Sequence, residues 1–321
     1  MRRLFLTVSA LAGLLAGTAG SHAAVKVVAS IKPIHSLAAG LMQGVAEPAL
    51  IVSGGASPHV YSLKPSQARA LEDADIVFWV GEGLENFLAK PLEALAGDAR
   101  VVALSQTPGL TLLEPREGGA FEAHDHEDEA DHAEAEHDHD QETGRQDHST
   151  DMHLWLDPQN ARLMVGEMEK ALIAADPANE ERYKANAAGM QARIETLIKE
   201  TESRVAPVSD RHFIVFHDAY HYFEQRFGLE AAGSITVSPE TAPGAKRLSE
   251  IRDRIAGTNA VCVFSEPQFP SAIVATVLEG TNAQAGTLDP LGASLEDGPD
   301  LYFELIANMA SAFSDCLSRK S

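Results

Sequence analysis

Pro177-Ala-Asn-Glu-Glu-Arg-Tyr-Lys-Ala-Asn-Ala-Ala-Gly-Met-Gln-Ala-Arg-Ile-Glu-Thr-Leu-Ile-Lys-Glu200 continues with no further proline until Pro207. Nothing inside this run breaks a helix, so it predicts one of about 28 residues, about 40 Å long, enough to cross a whole small domain. Short apolar runs alternate with helical patterns on both sides of it. Before it, strands are expected at 25–30, 50–52, 76–80 and 101–104. Helices are expected from Pro33 to about Gly44, at 64–71, at 86–95 and from Pro158 to about 175. After it, strands are expected at 212–216 and 260–264, and helices at 219–227, 244–256, 270–280 and 300–318. Such alternation implies mostly parallel sheets covered on both faces. The expected fold is therefore α/β, with two similar halves of mostly parallel sheet joined by one long helix.

The chain starts with Arg2 and Arg3, an apolar stretch over 4–19, and small residues at Ser21 and Ala23. That is the form of an export signal cleaved before Ala24. A retained anchor has no stop-transfer pattern to support it, and no later segment approaches the roughly 20 apolar residues needed to span a bilayer. Loss of the two arginines takes the formal charge from −22 to −24. A chain this acidic disfavours nucleic acid and anionic membrane surfaces and favours cations. Its length exceeds one comfortable core. The expected division is a signal peptide at 1–23, an N-terminal lobe at 24–176, the connecting helix at 177–206 and a C-terminal lobe at 207–321.

Half of the mature charge lies in one stretch. Residues 117–148 hold thirteen Asp or Glu and six His (His124, His126, His132, His137, His139 and His148) against the single Arg145. No apolar period survives there, so a disordered loop over 117–150 is expected. Imidazole suits Zn, Cu or Ni, and carboxylates raise the local cation concentration. The six His are thus auxiliary metal ligands by expectation; an acidic run without them would read as a solvated linker.

Ligands in open α/β sheets sit beyond the carboxyl ends of the strands. Four polar stretches fall at such places: 54–61 with His59, 152–158 with His153, 217–220 with His217, and 287–290 with Asp289. Each His taken singly reads as an ordinary surface or core residue. Together they form a three-nitrogen, one-oxygen set of the kind Zn²⁺ accepts.

Several phrases then carry a resemblance. Ser57-Pro-His59-Val-Tyr-Ser-Leu-Lys-Pro65-Ser, His153-Leu-Trp-Leu-Asp-Pro158, Phe216-His217-Asp-Ala-Tyr220, Phe264-Ser-Glu266-Pro-Gln-Phe269 and Gly286-Thr-Leu-Asp-Pro-Leu-Gly292 are similar to those of ZnuA-type proteins. These are the metal-binding solute receptors of bacterial zinc ABC importers, and the likeness runs from about 25 to 317. It implies two pseudo-symmetric α/β lobes joined by a rigid helix, a metal held in the cleft between them by His59, His153 and His217, a membrane permease as partner and a periplasmic location. No Ser or Cys nucleophile has a matching base and no phosphate loop occurs, so no enzymatic activity is expected. The resemblance also implies a Cys262–Cys316 disulfide in the second lobe, which an oxidising compartment favours; a Cys-ligated metal lacks a third thiol. A monomer is expected. Manganese relatives usually place Glu where His217 stands, and more imidazole favours Zn over Mn. Pro58 departs from zinc members that have an acidic residue there, which leaves Asp289 or water as the fourth ligand.

A manganese receptor of the same architecture, a zinc hydrolase on the same three His and a zinc buffer working through the loop are the alternatives. His217-Asp-Ala-Tyr-His221 imitates the H-E-x-x-H pattern of zinc peptidases, but Asp is shorter than Glu and the motif opens a helix rather than lying inside one. His221 reads as a surface or cleft-rim residue. Glu266 is read either as an acceptor that orients a ligand His or as structural. His35 and Tyr61 are candidates to approach the cleft, and His212 needs no function.

Overall fold

The computed structural model describes residues 24–116, 121, 150–236, 239 and 242–319. The expected export signal and the six His of the acidic stretch lie outside the described residues. Among the described residues, no helix is long and apolar enough to cross a membrane.

The first sheet is built from β1 (Val27–Ile31), β2 (Ala49–Val52), β3 (Ile76–Trp79) and β4 (Arg100–Ala103), in the order β2-β1-β3-β4. All its pairings are parallel; Val28 lies opposite Ala49 on one side and Val77 on the other. β1 is buried along its whole length, which is why it reads as an unbroken apolar run. Helices α1 (Lys32–Leu41), α2 (Pro65–Glu72), α3 (Asn86–Leu95) and α4 (Pro158–Ala175) belong to this half.

Helix α5 (Glu180–Val205) is the expected connector, 26 residues long and preceded by a single 3-10 turn. Its buried residues Tyr183, Ala187, Met190, Ile194, Leu197, Thr201 and Val205 recur every three or four positions, the spacing of one helical face. That face packs on α4, on α1 and on the C-terminal helix. At Gly40 in α1 a Cβ would lie 2.7 Å from the Met190 sulfur of α5, so any larger residue there would make the Met190 side chain move.

The second half repeats the topology. Strands β5 (Phe213–His217), β6 (Ala231–Thr236), β7 (Cys262–Ser265) and β8 (Gln284–Thr287) take the parallel order β6-β5-β7-β8. With them come α6 (His221–Phe227), α7 (Ala245–Thr258), α8 (Ala272–Leu278) and α9 (Leu301–Leu317). Cys262 and Cys316 form a disulfide that ties β7 to α9. One face of the second sheet shares a continuous apolar core with the first half, through Phe213, Phe264 and Phe313, while Ile214, Ile235, Ile251 and Val263 form a separate core on the other face.

Candidate metal centre

The three histidines come from three different chain segments. His59 lies in a one-turn 3-10 helix, Pro58–Val60, that follows β2; Ser57 caps the turn by accepting from the His59 backbone N–H at 3.3 Å. His153 directly precedes a second 3-10 turn, Leu154–Leu156, that leads into α4. His217 is the last residue of β5. Their ring nitrogens all lie within 4.8 Å of one another, and the ring centroids are 5.3 to 5.8 Å apart.

Hydrogen bonding fixes the tautomers of two rings. His153 Nδ1 donates to Asp151 Oδ1 at 2.7 Å, and His217 Nδ1 donates to Glu266 Oε1 at 2.7 Å. A carboxylate only accepts, so each Nδ1 carries the proton and each neutral ring presents a bare Nε2 lone pair. Those two Nε2 atoms face each other at 3.4 Å. Between neutral rings these are two acceptors, so what joins them is a proton on His217, which Glu266 favours, or a cation that displaces it. Tetrahedral zinc with Zn–N of 2.0–2.1 Å would set its nitrogens about 3.3 Å apart, close to what these rings show.

Electrostatics differ across the group. Burial, then the two facing imidazoles, holds His59 well below the ordinary imidazole value, so it stays neutral. Burial also pulls His217 down, but Glu266 beside it, helped by Asp218 and Asp151, reverses this and leaves it raised.

Asp289 is not brought into this group. Its Oδ1 accepts from the backbone N–H groups of Leu291 and Gly292 (3.1 and 2.9 Å) and from Gln268 Nε2 (2.9 Å), and its Oδ2 accepts from Ala293 N at 2.6 Å. Three donors reach Oδ1 and one reaches Oδ2, and together they organise the turn after β8. Other candidates also fall away from the site. His35 Nε2 bonds to the Pro48 carbonyl at 3.0 Å, and Tyr61 donates to the Ile51 carbonyl and packs on Phe87. His217 ends a strand and His221 opens a helix, so the two do not share one helical face as the peptidase pattern requires.

Two contributors were missed from sequence. Asp151, two residues before His153, orients that ring and was legible as a short-range Asp-x-His contact. Trp155 packs on His153 with ring centroids 5.5 Å apart and donates through Nε1 to the Pro290 carbonyl across to the second half. No local pattern marks that long-range bond.

Known proteins converge on the same reading. The family model of ZnuA, the periplasmic component A of the zinc-uptake complex, matches residues 27–316. The high-affinity zinc uptake system protein ZnuA of Brucella suis is 49% identical, over 95% of this chain and 96% of its own length. Its counterpart in Yersinia pestis is 37% identical over 92% of each chain. A crystal structure of ZnuA superposes with a TM-score of 0.72 at 26% identity, covering 91% of this chain and all of the other. The periplasmic zinc-binding protein TroA of Treponema pallidum, at 20% identity and a TM-score of 0.75, shares the fold. The chain belongs to the ZnuA family.

Proposed function

We propose that this chain is the exported receptor that captures Zn²⁺ on His59, His153 and His217 and hands it to the permease of a zinc ABC importer. The observation that carries the reading is the pair of Nε2 lone pairs facing at 3.4 Å while both Nδ1 atoms are committed to carboxylates. Water takes the fourth position, since the Asp289 carboxylate is engaged by the turn it caps. Three imidazoles without a carboxylate favour zinc over the harder manganese ion. The cavity beside the rings measures about 10 Å³, room for an ion or one water. That is far below the usual range of organic-ligand pockets, which argues for an ion as cargo and against hydrolysis of a substrate. The periplasm is the compartment that a disulfide and a cleavable export signal fit.

The test is metal content by mass of protein purified from exported material, with zinc and manganese both supplied. One equivalent of zinc is expected to survive a weak chelator in the intact protein. Alanine at His153 or His217 should reduce zinc affinity by more than the roughly 10–100-fold that loss of an outer partner costs. Manganese outcompeting zinc would reject the assignment.

A further inference from the structure

The seven-residue helix α6 begins four residues after His217, and three of its side chains reach across to the segments that flank His153. The Tyr222 hydroxyl donates to the Asp151 carbonyl at 2.7 Å and accepts from Leu113 N at 3.0 Å. Asp151 is the residue that orients His153, and its own N–H bonds back to the Leu113 carbonyl at 2.8 Å. Glu224 takes Arg116 on both oxygens, at 2.7 and 2.9 Å, and Arg116 also chelates Asp218, the neighbour of His217. Arg226 makes a two-pronged pair with Asp157 at 2.7 and 2.6 Å, and Asp157 caps α4 through Gln159 N at 2.8 Å. So Tyr222, Glu224 and Arg226 grip the chain before and after His153. Among the described residues His59 has no comparable brace: its own backbone N–H bonds to Ser57 Oγ.

We propose that α6 is the positioning element of the metal centre. Tyr222, Glu224 and Arg226 are positioning residues that hold His153 of one half in register with His217 of the other, and His59 is the ligand that closes on the ion. The placement has a physical consequence. An ion released from His59 still faces two imidazoles at chelating distance, whereas loosening α6 separates those two from each other. The brace joins the two halves that supply His153 and His217, so small rotations there translate directly into Nε2–Nε2 spacing.

The inference rests on the zinc reading above, and the test separates the two. Tyr222→Phe deletes both hydroxyl bonds and changes nothing else in volume; Arg226→Lys keeps the charge and loses the two-pronged geometry. Zn²⁺ affinity and release rate are measured by chelator competition in each variant, beside the melting temperature of the metal-free protein. Each variant should bind zinc about tenfold more weakly, through faster release, as outer partners of metal ligands generally do. The Co²⁺-loaded variants should show weakened tetrahedral d–d bands. A merely structural role would lower the melting temperature and leave release unchanged. In a His59→Ala background the Tyr222→Phe loss should persist, because the brace acts on the other two rings. Wild-type release rates in both variants, or an effect that vanishes without His59, would overturn the inference. If the wild-type protein has no tight zinc site, or His153→Ala and His217→Ala leave it intact, the zinc reading itself fails.

Discussion

Asp289 has a task within its own turn. Its carboxylate spans the N–H groups of residues 291, 292 and 293, and Gly292 sits at φ 71°, the left-handed conformation this turn needs. Asp289→Ala should therefore lower thermal stability while zinc affinity stays within about twofold of wild type, since buried hydrogen bonds to charged groups are worth roughly 1.5–3 kcal/mol. Isothermal titration beside thermal melts decides it: a large loss of affinity with unchanged melting would restore Asp289 as a ligand. The convergence of the three histidines was legible because each sits in a long phrase that defines its own loop. The bonds that Asp289 makes were not, because they depend on which backbone N–H groups the turn aims at its carboxylate. Protonation supplies a second residue-level expectation. His217 is raised above the usual 6.5 by Glu266, so in the metal-free protein it holds its proton to higher pH than an ordinary imidazole. Zinc must displace that proton, hence affinity falls as pH drops through the His217 value and falls more steeply once the lowered His59 also titrates. Affinity that is flat between about pH 7.5 and 5 would contradict a three-imidazole site.

Most elements were visible as apolar runs, and the exceptions have physical causes. Strand β6 was missed: Ala231-Ala-Gly-Ser-Ile-Thr236 is small and weakly β-forming, yet every residue in it is buried. Its place is set by pairing with β5 and by Arg247, which donates to the Ser234 and Ile235 carbonyls, not by its own propensity. Strand bounds shifted by one or two residues elsewhere, as for β1 and β5, because pairing and not hydropathy ends a strand. Glu85, in the turn after β3, is fully buried and accepts from Ser30 Oγ and from the N–H groups of Val80 and Gly81. Burial raises its carboxyl from 4.5 to about 7 despite those three bonds. A carboxyl raised on folding contributes stability that is complete below its unfolded value and lost as pH rises toward about 7. Glu85→Gln should accordingly gain on wild type at pH 8, by up to about 3 kcal/mol, and lose that advantage near pH 4. Denaturant melts at the two pH values check this; an equal difference at both would mean that Glu85 does not titrate in the folded protein. The disulfide from β7 to α9 closes a loop of 54 residues. Chain entropy puts its contribution at about 4 kcal/mol, so Cys262→Ser with Cys316→Ser should lower stability markedly. Zinc affinity of the variant that still folds should hold, because the histidines lie on other elements.

At the scale of the whole molecule the two halves are not loosely hinged. They share one apolar core, α5 runs along both, and polar bonds cross between them at several places: Trp155 to Pro290, Tyr302 to Trp155 and to Ser36, and Lys32 to Leu295 and Asp297. An interface this apolar and this bonded differs from the polar interdomain contacts that permit large closure. His153 and His217 are therefore positioned by folded structure before any ion arrives, with His59 left to close, and tight binding there requires little ordering. A stretch such as 121–148, whose sequence holds no apolar period, must instead lose chain entropy to gather ligands around an ion. The residues on either side of it make deletion feasible. Leu113 and Asp151 are hydrogen-bonded to each other and both to Tyr222, so the chain leaves and returns at one point, and a few linking residues suffice to rejoin it. Removing 121–148 should thus lower the number of zinc ions bound while one tight site remains, with its affinity unchanged. Calorimetry of the deleted and full-length proteins tests this. Loss of the tight site together with the acidic stretch would place the principal ligands there and not on His59, His153 and His217.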